Sequence, residues 1–137
     1  MYKNILVPID PSHEERHDVA LEMAEHLADA DDAVITAAIV IEPVPSYIGM
    51  TDRAGELETH AIDYAKASLA KFSQRSPRLK SAILHGSPGN EIVEYAEKND
   101  IDCIVIASHK PGLADYLLGS TAARVVRHVR CNVHVLR

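Results

Sequence analysis

The sequence contains no tryptophan and a single phenylalanine, Phe72. That scarcity removes the aromatic platform on which single-stranded bases stack. Its two cysteines, Cys103 and Cys131, are too few for a disulfide framework, so a reducing cytoplasm is the expected compartment. No apolar run approaches the roughly 18–20 residues that span a bilayer, and no membrane association is expected. Met1-Tyr2-Lys3-Asn4 runs straight into Ile5-Leu6-Val7, without the h-region and small-residue cleavage site of a secretory signal. Neither G-x-x-x-x-G-K-[S/T] nor G-x-G-x-x-G occurs, which removes the P-loop and the dinucleotide fingerprint. No nucleophile, base and orienting group are recognisable as a set, so no catalytic residue is expected. The net charge of −6 argues against nucleic acid as a partner.

What is present fits one ordinary domain spanning 1–137. A chain of 137 residues can bury a real core without staples. Apolar residues make up 47% and charged residues 25%, near the globular average, so the chain is not disordered by composition. Charge is uneven along it. Residues 107–137 carry Lys110, Arg124, Arg127, Arg130 and Arg137 against Asp115 alone, a net of +4. The preceding residues carry 9 basic and 19 acidic side chains, a net of −10. The basic tail can host a small anion, or can simply be the charged face of a C-terminal helix.

Apolar runs and helical periodicity alternate along the chain. Lys3–Ile9 reads as a buried strand. Ser12 with Glu15 three residues on is a capping box, opening a helix with His17, Ala20, Ala24, Leu27 and Ala28 inward. Ala33–Ile41 is too uniformly apolar for a half-exposed strand and suits the centre of a parallel sheet. Glu42–Gly55 holds two prolines and two glycines and reads as a long loop. Leu57, Ala61, Tyr64, Ala65, Ser68 and Phe72 form the inward stripe of a second helix. Leu79–Leu84 is a third strand, and Ser87-Pro88 opens a helix carrying Ile92, Val93 and Ala96 inward. Cys103–Ala107 is a fourth strand, followed by a long connection over Ser108–Leu118. Gly119-Ser120 starts a last helix with Ala122, Ala123, Val125, Val126 and Val129 inward, and Asn132–Leu136 is the final strand. Strict alternation of strand and helix predicts an α/β fold with a parallel sheet covered on both faces.

Ligands of such sheets sit beyond the carboxyl ends of the strands, where strand order reverses. That rule selects Pro8–Ser12, Val40–Glu42 and Ala107–Ser120. Gly119 permits close backbone approach, and the amides of Ser120, Thr121 and Ala122 lie at a helix start whose dipole favours an anion. Ser108, His109 and Lys110 follow the fourth strand, with donors and positive charge near the same place. Asp10 follows Pro8 and Ile9, and its carboxylate can accept from a ribose hydroxyl or hold a metal–phosphate. The plainer reading of Asp10 is a turn residue beside proline. His13-Glu14-Glu15-Arg16-His17 matches the zinc-peptidase pattern H-E-x-x-H, but it falls in the charged first turn of a capped helix, and no metal site is expected there.

The opening KNILVPID, the segment Val40-Ile41-Glu42-Pro43 and the tail IVIASHKPGLADYLLGSTAARVVRHVRCNVHVLR together resemble the universal stress protein family, closest to its small F/G-like branch. The resemblance covers the whole chain. It implies a doubly wound, Rossmann-like sheet of five parallel strands in the order 3-2-1-4-5 with four helices, of the adenine nucleotide alpha hydrolase-like type. It implies a regulatory stress-response protein that binds ATP or another adenine nucleotide, with Mg as the accompanying ion, and that is not an enzyme. By position, Asp10 faces the ribose or phosphates, the Val40 backbone reads the adenine edge, and Ala107, His109, Lys110, Gly119, Ser120 and Thr121 line the ribose–phosphate path. ATP-binding members carry G-x2-G-x9-G-[S/T]. Here Ala107 and Lys110 replace the first two glycines, and eight residues rather than nine precede Gly119. The departure leaves a nucleotide-free interaction module open as an alternative, alongside a slow ATPase. The resemblance also implies a homodimer at least, paired through Asn132–Leu136, with a tetramer open.

Overall fold

The computed structural model describes residues 1–44, 54–108 and 118–137, apart from the side chains of Ser12, Glu14, Glu15 and Ala54. The chain runs β1 (Asn4–Pro8), a 3-10 turn (Pro11–His13), α1 (Glu14–Asp29), β2 (Val34–Ile41), α2 (Ala54–Ser73), β3 (Leu79–His85), α3 (Pro88–Lys98), β4 (Cys103–Ala107), α4 (Ser120–His128) and β5 (Asn132–Leu136). The five strands form one parallel sheet in the order β3-β2-β1-β4-β5, as expected.

Strand side chains alternate between two cores. Ile5, Val7, Ile35, Ile39, Cys103 and Val105 meet Ala20, Leu21 and Ala24 of α1 and Ala65, Leu69 and Phe72 of α2. Leu6, Ala38, Ile104 and Ile106 face the other way, against Ile92 and Ala96 of α3 and Ala122 and Val125 of α4. Both faces of the central strands are covered, which is why their sequences are continuously apolar. The Cys103 thiol lies within the first core, and burial pushes its pKa up to about 11.

Several local expectations change. His13, not Ser12, is the residue before α1, because the 3-10 turn takes up Pro11–His13 first. The side chains of the expected Ser12–Glu15 box lie outside the described residues. Gly55 belongs to α2 rather than to the preceding loop, of which 45–53 lie outside the described residues. Leu57 and Tyr64 are exposed, as is Val126 of α4, so the inward stripes of both helices are narrower than expected. Leu21, absent from the expected stripe of α1, is fully buried. Ser87 does precede α3, with Pro88 in its first turn, but its side chain makes no capping hydrogen bond.

Two turns use the left-handed region at aspartate, Asp32 (φ 53°) and Asp100 (φ 52°). Gly86, between β3 and α3, has φ 139°, and a Cβ there would sit 2.6 Å from the Glu91 carboxylate. Glycine is therefore required where the chain turns into the helix that borders the site.

Candidate functional site

Strand order reverses between β1 and β4, which run parallel, and the sheet opens there. Successive amides of a strand point to opposite sides. The Ile9 N–H donates to the Ala38 carbonyl of β2 at 2.8 Å, and the Asn4 N–H donates to the Asp102 carboxylate beside β4 at 3.1 Å. The amide of residue 8 would therefore aim at β4, but proline has none. Register between β1 and β4 runs only through Ile5–Cys103 and Leu6–Ile104, whereas β1 stays paired with β2 as far as Pro8–Ala38. The missing donor ends one ladder and leaves the other intact.

A cavity of about 200 Å³ lies at that opening. Its floor and walls are apolar, from Ile9, Ala38, Val40, Ile92, Ile106 and Ala122. Pro8 and Ala107 close the strand side, and Pro88 marks the start of α3. Gly119, Ser120 and Thr121 form the start of α4. The first intrahelical bond there runs from the Ala123 N–H to the Gly119 carbonyl at 2.9 Å, so the amides of Ser120, Thr121 and Ala122 precede any helical acceptor. Gly119 has φ −57°, which any residue adopts. Its lack of a side chain therefore matters for approach and not for conformation.

Polar groups converge on this cavity from three elements. Asp10 follows β1, and its carboxylate pairs with His13 Nδ1 at 3.3 Å. His17 of α1 is 4% exposed, and its Nε2 accepts from the Asp10 N–H at 2.8 Å while also touching the Asp10 carbonyl. Glu42, just past β2, contributes a second carboxylate to the lining. Next to His17, Arg16 donates from Nη1 to the Ser108 carbonyl at 2.9 Å. Ser108 in turn donates its N–H to the Leu136 carbonyl at 2.7 Å and accepts from the Gly119 N–H at 3.4 Å. The start of α1 thus ties the β1 loop to the start of α4 and to β5.

The expected residues Pro8, Ile9, Asp10, Val40, Ala107, Gly119, Ser120, Thr121 and Ala122 all line the cavity. Ser108 does not line it but braces Gly119 from behind. His109 and Lys110 lie outside the described residues. Glu42 belongs to the expected Val40–Glu42 segment and lines the cavity too, whereas His17, Pro88 and Ile92 were not expected in the site. The proline that opens α3 was one available signal, since every helix of this fold class starts at the strand-end edge. The expected gathering of basic charge is only partial. Arg127 and His128 lie in the last turn of α4, at the opposite end from Ser120. Nine helical residues separate the ends by about 13 Å. Among the described residues, no three His, Cys, Asp or Glu side chains gather to hold a metal, and no helix is long and apolar enough to cross a membrane.

Known proteins share this architecture across its length. The chain is 34% identical over 147 residues to universal stress protein MJ0531 of Methanocaldococcus jannaschii, covering 100% of this chain and 83% of that protein. It is 33% identical over 144 residues to universal stress protein G of Escherichia coli O157:H7, with 100% of both covered. Among solved structures, the universal stress protein UspA from Lactobacillus plantarum superposes with a TM-score of 0.83 at 30% identity, covering 99% of this chain and 98% of the other. A universal stress protein solved in complex with cAMP superposes with a TM-score of 0.64 at 25% identity, covering 99% and 97%. The universal stress protein family model matches residues 1–137, and the chain belongs to that family.

Proposed function

We propose that this protein binds an adenine nucleotide in the cavity between the ends of β1 and β4 and acts as a regulatory, stress-response protein. The observation that carries the reading is the meeting of the α4 amides with an apolar slot opened by Pro8. Unpaired amides at a helix start bind phosphate oxygens, and the helix dipole adds to the attraction. The apolar walls suit a purine, and the strand-end backbone at Val40 can meet its polar edge. The Asp10 carboxylate accepts from ribose hydroxyls. The cAMP complex of a related protein supports the same ligand class. Lys110 supplies charge where ATP-binding relatives carry glycine.

In this reading the nucleotide is held rather than turned over, and the chain pairs as a homodimer along the free edge of β5. An exposed strand edge invites self-pairing across a two-fold axis. Titration calorimetry of the purified protein with ATP, AMP and cAMP tests the ligand, and light scattering at micromolar concentration tests the dimer. Saturable binding of at least one nucleotide is expected, with no phosphate release on the timescale of binding. A folded protein that binds none of the three and carries none on purification would overturn the proposal and leave a nucleotide-free interaction module. A monomeric mass would overturn the dimer.

A further inference from the structure

We infer that β5 pairs with β5 of a second copy in one antiparallel register, with the two-fold axis between the two His134 residues. The inference rests on the homodimer reading and fixes the register which that reading leaves open. β5 is an edge strand of the sheet and runs in unbroken register with β4 from Asn132 to Leu136. It holds no proline, lysine or bulge, the devices that blunt an edge. The opposite edge strand, β3, carries Lys80.

Parity selects the register. The Leu136 carbonyl accepts from the Ser108 N–H at 2.7 Å, so Leu136 turns its backbone groups toward β4. A strand residue points its N–H and C=O to the same side, and successive residues alternate. Asn132 and His134 therefore also face β4, whereas Val133 and Val135 face the free edge. An antiparallel partner exchanges bonds only between edge-facing residues. With the axis at His134, Val133 meets Val135 of the partner subunit, and Val135 meets the partner's Val133. Both edge-facing residues of each strand are then bonded. Moving the axis to Val133 or to Val135 leaves a single such pair within the strands.

The side chains fit the same arrangement. Val133 and Val135 lie half-buried on the sheet face that α3 and α4 cover. Val126 of α4 is 43% exposed. It stands about 200° around the helix from Arg124. The Arg124 side chain lies along Gly89 and bonds Asn90, both of α3, which packs over β2 and β3. Val126 therefore looks away from α3, toward the β5 edge. Val126, Val133 and Val135 make one apolar strip there, and the register sets valine against valine across the strands. On the other face Asn132 and His134 are exposed. The axis sets the two His134 side chains directly opposite, in a non-hydrogen-bonded pair with Cα atoms about 4.5 Å apart.

Single cysteines read the register. The background is Cys131→Ser, with Cys103 buried, and oxidised glutathione is the oxidant. In His134→Cys the paired Cα atoms stand about 4.5 Å apart, within disulfide reach. In Val133→Cys or Val135→Cys the identical residues stand roughly 9 Å apart, beyond the about 7 Å that a disulfide spans. His134→Cys is expected to run as a covalent dimer on a non-reducing gel, and the two valine variants as monomers. Cross-linking of a valine variant but not of His134→Cys, or of none of the three in a particle of dimer mass, would overturn the register and leave the homodimer intact. A monomeric wild type by light scattering would instead overturn the homodimer reading, and the register with it. If His134→Cys does not fold, hydrogen exchange of the wild type tests the pairing. The Val133 and Val135 amides must exchange as slowly as those of His134 and Leu136, and fast exchange of both in a particle of dimer mass refutes the inference.

Discussion

Glu42 offers a sharp test of how charge is arranged around the cavity. Its carboxylate is exposed yet lines the pocket that presents the α4 amides, so it opposes an anionic ligand. Two unit charges about 8 Å apart, at an effective dielectric of about 40 for an exposed group, repel by about 1 kcal/mol. Physiological salt, with a Debye length of about 8 Å, reduces this to about 0.4 kcal/mol. Glu42→Gln should therefore tighten binding by about twofold for each negative charge the ligand brings close. Adenosine should show no change, cAMP about a twofold gain, and ATP a gain on the order of fivefold to tenfold. The differences should fade in about 1 M salt, where the Debye length falls to about 3 Å. Titration calorimetry of the three ligands at two salt concentrations measures the series. A loss of ATP affinity on substitution, or an equal change for adenosine, would refute the reasoning. Either result would make Glu42 a direct contact to the ligand rather than a distant repulsive charge.

Other substitutions separate folding from binding. Gly119→Val should keep its thermal midpoint, since φ −57° suits valine, but should lose nucleotide binding to steric block; thermal melts and calorimetry on one sample check both. Ser120→Ala should weaken binding by about fivefold, the cost of one donor at on the order of 1 kcal/mol. Lys110→Glu should abolish ATP binding, whereas tighter binding by Lys110→Gly would show that the lysine obstructs the phosphate path. The Cys103 thiol, with its pKa raised to about 11 by burial, is almost wholly protonated at neutral pH. It should react with a disulfide reagent on the order of a hundredfold more slowly than free cysteine, and its rate should rise with pH and recover in urea.

Much of the architecture was legible because burial on both sheet faces leaves a continuous apolar run. The span of β4 was readable to the residue for that reason, whereas β5, NVHVL at the sheet edge, has no fully buried residue and was read from alternation. Helix faces were harder. Residues 55–60 of α2 are all exposed, so Leu57 continues the helical spacing without facing the sheet. Tyr64 sits on the same spacing, yet its ring is turned out and its hydroxyl reaches the Pro11 carbonyl at 3.3 Å. Periodicity records what a helix could bury, and the extent of the sheet decides how much of that stripe is covered.

The site was legible where backbone geometry makes it and illegible where a side chain's partner does. Pro8, Ile9, Asp10, Val40 and the start of α4 follow from the rule that strand ends hold the ligand. His17 shares its helical stripe with Ala20 and Ala24, so its sequence position describes a core residue as well as a pocket residue. Only the fold shows that one turn of helix sets it beneath the Asp10 backbone. Pro8 is subtler still. Its fixed backbone was readable, but the consequence depends on the parity of the strand. Residues 4 and 6 aim their amides at β4, as residue 8 would if it carried one, and residues 5, 7 and 9 aim theirs at β2. A proline one position earlier would have removed a donor to β2 and left β1 free to stay bonded to β4.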